Sequence, residues 1–437
     1  MSHQALSADT EVVLLLCGRF GGERQEPYQP LSTREYGELA KWLNVRGLRP
    51  ADLLMDAGKA QLPALHEAKL ERQRVEFLLG RGTAMALAME RWSRSGLWVI
   101  SRGDAEFPKR LKRHFKHAAP PLLYGAGNKE LLDVGGLAII GSRDATEASL
   151  ELTRDIAARC AQEGMGVVSG GARGVDAAAM QGSFDAGGYT VGVLANDLLK
   201  ASVNRSNRIG LQEGRLVLVS PFYPEAGFNA GNAMGRNKYI YALSDRALVM
   251  DSALGSGGTW EGALEVLAHQ WVPLYVRTPG NGPGNAALVE KGGIAFTYVP
   301  GHGDRLVDYF ERAASKNTYQ VAESAPPQQS LLSMDANVSD GALAVHEAGA
   351  STGSAESTTV VGADPVPAAL DMYGDFLTKL MLALQGEPLT EDEVSACLVL
   401  EKGQAKAWLK RAVESGQVER LKKPVRYTQG LQSSLLG

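Results

Sequence analysis

Seven short apolar segments recur between residues 137 and 299, and stretches with helical spacing separate several of them. Each segment has five or six residues and is rich in β-branched side chains, as in strands that are buried on both faces. The segments lie at 137–141, 165–169, 190–195, 216–221, 247–251, 272–277 and 295–299. Strands that alternate with helices form parallel sheets covered on both sides. The pattern predicts an α/β core whose ligands bind at the carboxyl ends of the strands.

The first 120 residues have the pattern of a small, mostly helical unit. Residues 11–18 fit a short strand and a helix equally well, because their periodicity does not distinguish the two. Ser32 and Glu35 have the spacing of a capping box and precede a helical pattern. Residues 65–82 predict a second helix.

The composition changes after residue 313. Residues 314–365 are rich in Ala, Ser, Gly, Thr and Pro and contain no Arg, which predicts a flexible linker. Residues 366–437 have the succession of three helices and a short hairpin, as in a winged-helix module. The predicted domains are therefore a helical N-terminal domain (1–120), the α/β core (121–313), the linker (314–365) and a winged-helix-like domain (366–437).

The charge of the winged-helix-like domain leaves its partner open. Its first half is acidic, whereas its second half is basic and carries Lys402, Lys406, Lys410, Arg411, Arg420, Lys422, Lys423 and Arg426. A basic recognition helix and wing contact DNA in this type of module. Because phosphates would repel the acidic half, the other open interpretation is a protein-interaction module with a solvated charged face.

Composition and charge narrow the class of protein. The 437-residue chain is 44% hydrophobic and 22% charged, as in ordinary soluble globular proteins. Its formal net charge is −4, so nucleic-acid binding would need a local basic patch. The three cysteines lie far apart and no Cys/His cluster has zinc spacing, so we expect neither disulfides nor a bound metal. The first 17 residues lack the pattern of a signal peptide, and we expect a cytoplasmic protein.

Three turns in the α/β region place glycine or small polar residues where a strand leads into a helix. Glycine lets a backbone approach a phosphate closely, and the free N–H groups at a helix start point towards an anion. Basic side chains at these turns can add charge and hydrogen bonds. The candidate phosphate-binding residues are Gly141, Ser142 and Arg143 in the first turn, Ser169, Gly170, Arg173 and Gly174 in the second, and Arg236, Asn237, Lys238, Ser256 and Gly257 in the third region.

Common nucleotide and catalytic motifs are absent from this region of the sequence. No Gly-x-Gly-x-x-Gly opens a helix with an acid about 20 residues later, and no P-loop motif is present. No serine lies in a nucleophile elbow, and none of the seven histidines lies in the glycine turns. The sequence therefore predicts no cofactor and gives little support to hydrolase or redox chemistry.

Two further features have both a structural and a functional interpretation. Asp176 lies in a first helical turn, where acids cap helices, and we expect it also to orient Arg173. The basic run at 109–116 is either a solvated helix edge or an accessory phosphate contact.

The motifs of the three turns, taken in order, resemble the DprA/Smf family of DNA-processing proteins. The segments AIIGSR, GMGVVSGGARGVDAAAM and GRNKYIYALSDRALVMD followed by GSGGT carry the resemblance, which covers roughly residues 118–300. It implies an extended Rossmann-like core that binds single-stranded DNA through its backbone without making or breaking a bond. It also implies a homodimer that helps to load a RecA-type recombinase, notably in natural transformation, and a pocket built from the residues of the three turns.

The sequence departs from the family pattern at several positions. Met180 stands where the family usually has His, and Lys238 replaces the second arginine of an Arg-Asn-Arg motif. The turn Gly257-Gly258-Thr259 with Glu261 is similar to the lysine-decarboxylase-like (LOG) family, which handles nucleotide monophosphates. An alternative is therefore a nucleotide sensor or LOG-like nucleotide hydrolase with Glu261 as its acid or base. Another alternative is a DprA-like antitoxin or phage-defence component that binds a partner protein from a neighbouring gene.

Overall fold

The computed structural model describes residues 6–21, 26–301, 303–313, 372–385 and 388–398, together with 405, 408–409, 412–413, 417–421 and 425–429. The chain divides into two compact units, Met1–Leu331 and Leu332–Gly437. The linker predicted at 314–365 lies outside the described residues, as do Lys402, Lys406, Lys410, Arg411, Lys422 and Lys423.

The first unit contains a nine-stranded sheet with helices on both faces. The strands are β1 (Leu97–Ser101), β2 (Leu122–Gly127), β3 (Leu137–Ile140), β4 (Val167–Ser169), β5 (Thr190–Val193), β6 (Leu216–Ser220), β7 (Arg246–Val249), β8 (Leu274–Arg277) and β9 (Ile294–Phe296). The helices are α1 (Ala8–Cys17), α2 (Thr33–Val45), α3 (Asp56–Lys59), α4 (Arg72–Leu79), α5 (Gly82–Arg94), α6 (Lys109–Phe115), α7 (Glu147–Gln162), α8 (Val175–Asp185), α9 (Leu198–Val203), α10 (Arg205–Gln212), α11 (Ala230–Ala242), α12 (Gly258–His269), α13 (Pro283–Glu290) and α14 (306–313).

The strand order is β1-β2-β6-β5-β4-β3-β7-β8-β9. Strands β3 to β9 are parallel, whereas β2 is antiparallel to both β6 and β1. The chain proceeds from β3 through β4 and β5 to β6 on one side, and then returns to β7 on the other side of β3. This reversal makes the α/β core Rossmann-like, and all seven strands predicted in the core are present.

Alternating strand residues form the two faces of the core. In β3, Leu137 and Ile139 pack with Ile156 of α7 and Val175 of α8. Ala138 and Ile140 pack on the opposite face, where Ile240 of α11 and Val266 of α12 belong to the same cluster. These side chains are buried on both faces, which explains why the strands have continuous apolar sequences.

The N-terminal helices pack directly on the sheet. Leu97 and Val99 of β1 share one apolar cluster with Leu14 of α1 and Trp92 of α5. Residues 11–18, which the sequence left open, are almost entirely within α1. Ser32 and Glu35 form the expected capping box at the start of α2.

Two features of the N-terminal region differ from the sequence prediction. The helix predicted at 65–82 is interrupted: a 3₁₀ turn at Leu62–Ala68 ends at Lys69, which has a left-handed backbone (φ 57°), and α4 then begins at Arg72. Strands β1 and β2 were not predicted, and β1 places part of the first 120 residues within the sheet.

The second unit is described in part. It contains α15 (Met372–Ala383), α16 (Glu391–Cys397) and a hairpin of β10 (Val418–Leu421) and β11 (Arg426–Gln429). Phe376 and Leu380 of α15 pack with Val418 and Tyr427 of the hairpin. The winged-helix assignment stays a prediction for this unit.

Candidate functional site

The turn after β3 is held against the start of α8. A Cβ atom at Gly141 would lie 2.7 Å from a methyl group of Val175, so only glycine fits without displacing α8. The Val175 amide donates to the Ser142 carbonyl (3.2 Å), and the Ser142 hydroxyl accepts from the Asp144 amide (3.1 Å). Arg143 is exposed, and its guanidinium lies 5.4 Å from the centre of the Phe228 ring.

The turn after β4 lies directly against the turn after β3. Gly174 caps α8 with φ 88°, and a Cβ atom there would approach the Ser142 carbonyl oxygen to 2.4 Å. Ser169 was predicted to donate to a phosphate, but it is fully buried and its hydroxyl donates to the Ile139 carbonyl of β3 (2.6 Å). Ser169 therefore joins β4 to β3 and faces away from the ligand side.

Asp176 is a buried acid that connects these two turns. Backbone amides of Gly141, Gly170 and Ala172 donate to its carboxylate. Burial raises the pKa of Asp176, and the neighbouring Arg236 and the three amides oppose this shift. The expectation that Asp176 orients Arg173 is wrong, because Asp176 points inward to Arg236 and the exposed Arg173 pairs with Asp144.

Arg236 of α11 reaches from the helix to the ends of β4 and β5. Its Nη1 atom lies 3.7 Å from Oδ2 of Asp176 and donates to the Val193 carbonyl (3.1 Å). Its Nε atom is buried and has no hydrogen-bond partner among the described residues. Burial lowers the pKa of Arg236, and Asp176 opposes this shift. A Cβ atom at Gly170 would lie 1.2 Å from Nη1, so Arg236 occupies the space that a side chain there would need.

A cavity of about 490 Å³, which we call the cationic pocket, opens at the carboxyl ends of the strands, and of the predicted turn residues Gly141, Ser142, Ser169 and Gly174 do not line it. Its four cations come from four separate segments of the chain: Arg143, Arg173, Lys200 and Arg236. Gly170, Gly171 and Ala172 contribute backbone, and the ring of Phe228, which is 62% exposed, lies at the edge. Within the described part of the chain, Arg143 and Lys200 have no carboxylate within 4 Å.

Five residues that line this pocket were not predicted from the sequence. Asn196, Asp197, Lys200 and Asn204 line it from the segment after β5, and Phe228 lines it from the loop before α11. Their place in the sequence could have indicated this, because Asn196 and Asp197 follow β5 at the ligand-binding edge of the sheet.

The remaining predicted residues lie outside the pocket. Successive residues of a helix turn by about 100°, so Arg236, Asn237 and Lys238 point in three directions. The Asn237 side chain donates to the Gly258 carbonyl (2.8 Å), and the Lys238 ammonium lies 5.6 Å from the Phe115 ring centre. The idea that all three share one phosphate site is therefore wrong.

Ser256 and Gly257 form the turn before α12, where Gly257 has φ 89°. This turn is tied to the end of β3, because the Thr259 hydroxyl donates to the Gly141 carbonyl (3.0 Å). Neither Ser256 nor Gly257 lines the cationic pocket. Glu261 is exposed on the first turn of α12 and does not line the pocket either.

The carboxyl end of β7 is filled by the protein's own polar groups. Asp251 accepts a hydrogen bond from Ser149 and a second from the Asn281 amide (3.1 Å), and Arg277 donates to Ser149 (2.8 Å). Both Ser149 and Asp251 are buried. The open cavity therefore lies over β3, β4 and β5 and not over β7.

Two features are absent from the described residues. These residues contain no group of three or more His, Cys, Asp or Glu side chains that would hold a metal ion. Across the same residues, no helix has both the length and the apolar character needed to span a membrane.

Comparisons with known proteins agree with the sequence motifs. Residues 98–291 match the family model described as DNA recombination-mediator protein A. Protein Smf of Synechocystis is 27% identical over 235 residues, which cover 49% of this chain and 58% of that protein. Protein Smf of Escherichia coli is 30% identical over 187 residues (41% and 49%), and the putative DNA processing protein DprA of Mycobacterium tuberculosis is 29% identical over 181 residues (39% and 46%).

Solved structures give more distant similarities. DNA processing protein A of Streptococcus pneumoniae is 18% identical with a TM-score of 0.42, and the match covers 62% of this chain and 96% of that one. The Helicobacter pylori protein is 24% identical with a TM-score of 0.40 and coverages of 52% and 96%. The chain spans about half the length of the curated relatives that it matches. Residues 98–291 of this chain are therefore similar to the DprA/Smf family of DNA-processing proteins.

Proposed function

We propose that this chain binds single-stranded DNA through its sugar–phosphate backbone at the cationic pocket. The observation that carries the proposal is the convergence of Arg143, Arg173, Lys200 and Arg236 on one cavity. Charge-assisted donors of this kind bind phosphate oxygens strongly. Four basic side chains and one acid, Asp197, line the pocket, and a lining with this excess of positive charge favours an anionic ligand.

The shape of the pocket supports a backbone contact. Gly171 is exposed and has no side chain, so a ligand can approach the main chain after β4 closely. Contacts to phosphate fix the position of a nucleic acid and do not depend on its sequence. The exposed Phe228 ring at the edge offers a surface on which an unpaired base can stack.

The proposed biological role is DNA processing or recombination, by binding and without making or breaking a bond. The description of the matching family as a recombination mediator supports this role. Action as a homodimer that helps to load a RecA-type recombinase on cytoplasmic single strands is a further part of the proposal. It rests on the family resemblance alone.

The experiment that tests the proposal compares three ligands with the purified full chain at two salt concentrations. We expect a labelled oligo-dT strand to bind more tightly than a duplex of equal length and far more tightly than thymidine monophosphate. The affinity for the strand should fall steeply with salt, because phosphate contacts release counterions. Equal binding of duplex and single strand, or tight binding of the mononucleotide, would refute the proposal.

A further inference from the structure

The helix α6 and the turn after it carry the densest positive charge of the first 313 residues. Five Lys or Arg and two His occur among the nine residues 109–117. Arg110 has a structural role, because its Nη1 atom lies 2.7 Å from Asp245 and donates to the Ser244 carbonyl (3.2 Å). The other four basic side chains, Lys109, Lys112, Arg113 and Lys116, are exposed.

These four side chains are not neutralised by the protein. Within the described ranges, none of them has a carboxylate within 4 Å, and the one hydrogen bond of Lys112 goes to the Asp104 carbonyl (3.4 Å). Together with Lys238 of α11 we call them the α6 patch. An uncompensated basic surface on a chain of net charge −4 is complementary to a polyanion.

The α6 patch and the cationic pocket lie on two sides of one helix. α6 packs on α11 through Phe115, whose ring lies 5.3 Å from that of Tyr239, and Lys238 lies over the same ring. Arg236 lies two residues before Lys238, so it leaves α11 about 160° away from Lys238 around the helix and enters the cationic pocket. A helix with its side chains is about 10 Å across, so a flexible chain that leaves the pocket reaches the patch by crossing α11.

An aromatic surface adjoins the α6 patch. The exposed His269 ring stacks on Trp271 (5.0 Å, 7°), and Trp271 contacts Phe115 at 5.3 Å. Unpaired bases stack on such rings, whereas the bases of a duplex have their faces already covered. Cations beside an aromatic face favour a single strand over a duplex and over an acidic peptide.

We propose that the α6 patch is a second nucleic-acid contact, which holds phosphates of a single strand that continues beyond the cationic pocket. The proposal rests on the proposed function, because the pocket is taken to hold the first part of the same strand. It gives Lys238 a phosphate contact that the pocket does not provide.

The test compares a short oligo-dT of about 6 nucleotides with a long one of about 30, a range that brackets usual site sizes. The variant is Lys109→Gln/Arg113→Gln/Lys116→Gln in the full chain. The matched control, Lys41→Gln/Arg72→Gln/Arg94→Gln, removes the same charge from exposed pairs on α2, α4 and α5. Thermal unfolding of all three proteins verifies that they are folded.

We expect the α6 variant to bind the short strand like the wild type and the long strand more weakly. Its slope of log K against log salt on the long strand should be smaller by about 2, since each single-strand phosphate contact contributes about 0.7. Unchanged long-strand binding would overturn the proposal. So would an equal loss in the control, or an equal loss for short and long strands.

The same assay separates this inference from the proposed function. If Arg143→Ala leaves short-strand binding intact, the proposed role of the pocket fails, whatever the α6 variant does. If short-strand binding needs Arg143 but the α6 variant matches the wild type on the long strand, only the second contact fails. Preferential loss of duplex binding in the α6 variant would also overturn the assignment to a single strand.

Discussion

Nη1 of Arg236 lies 3.7 Å from Oδ2 of Asp176, and the two side chains are only 5% and 9% exposed. The positive charge of Arg236 is therefore balanced within the protein before any ligand arrives. Arg236 contributes fixed donors and shape to the cationic pocket, whereas Arg143 and Lys200 supply its uncompensated charge.

Breaking this pair should destabilise the fold strongly. Arg236→Met leaves Asp176 as a buried carboxylate without its cation, and we expect a loss of about 3–5 kcal/mol in the free energy of unfolding. The double variant Asp176→Asn/Arg236→Met removes both charges and should lose less than Arg236→Met alone. Denaturant unfolding of the two variants measures this difference.

The double variant also separates stability from binding. Although it should be more stable than Arg236→Met, it lacks the guanidinium in the pocket and should bind oligo-dT weakly. A double variant less stable than Arg236→Met would contradict the pairing. Wild-type affinity of the double variant for oligo-dT would show that Arg236 does not contribute to binding.

Gly170→Ala tests the space beside Arg236. The Gly170 backbone is not left-handed, so the only obstacle is the new Cβ, 1.2 Å from Nη1 of Arg236. We expect displacement of Arg236, a cost of about 1–3 kcal/mol and weaker binding of oligo-dT. The control is Gly235→Ala on the exposed side of α11, where nothing lies within 4 Å. It should gain about 0.5–1 kcal/mol and keep its affinity, and equal effects of the two changes would refute this account.

Asp144→Asn should strengthen binding. Asp144 pairs with Arg173 at the exposed edge of the pocket, where both side chains are largely solvent-exposed (82% and 77%). Removing the carboxylate frees the guanidinium for a phosphate and removes a repulsive charge. We expect an affinity for oligo-dT about two- to fivefold higher at low salt, the scale of one exposed pair. A lower affinity would show that Asp144 positions Arg173 and does not compete with the ligand.

The strands of the core were predictable because each is a short apolar run between helices. β2 escaped prediction because it contains Gly125, which seldom occurs within a strand. The structure gives the reason: a Cβ atom at Gly125 would lie 2.3 Å from the Trp98 ring of the neighbouring β1. This requirement for glycine arises from the packing of one strand against another, so it cannot be predicted from the local sequence pattern.

The candidate site was predictable in its turns but not in the direction of its side chains. Gly141, Arg143, Gly170 and Arg173 lie where the strand–turn–helix pattern implies. The inward direction of the Ser169 side chain, however, depends on the distance between β3 and β4. The partner of Asp176 depends on where α11 packs, some 60 residues later in the sequence. Lys200 enters the pocket from α9, a helix outside the three glycine turns.

The Glu35–Arg74 pair predicts an acid-sensitive contribution to stability. The hydrogen bond from Arg74 lowers the pKa of Glu35 from 4.5 to about 2, against the effect of burial. A lowered pKa means that the stabilisation is complete above pH 4.5 and is lost as the pH falls towards 2. Since the pair is partly exposed, Glu35→Gln should cost about 1 kcal/mol or less at pH 7.

Thermal unfolding of wild type and Glu35→Gln at pH 7, 4.5 and 2.5 measures this contribution. The difference between the two proteins should be largest at pH 7 and much smaller at pH 2.5, where part of it remains because that pH is still above the folded-state pKa of about 2. Gln retains the capping-box geometry with Ser32, so loss of the cap does not confound the comparison. A difference that is constant with pH would show that the charge of Glu35 does not matter.

The most direct test of the central claim is the salt dependence of oligo-dT binding by Arg143→Ala/Lys200→Ala, compared with wild type and with Arg72→Ala/Arg94→Ala. Fluorescence anisotropy of a labelled strand over a salt series gives the slope of log K against log salt. We predict that the pocket variant binds more weakly and has a slope smaller in magnitude by about 1.4, the value for two lost single-strand phosphate contacts. The control should match the wild type. An identical slope and affinity in the pocket variant would contradict the account.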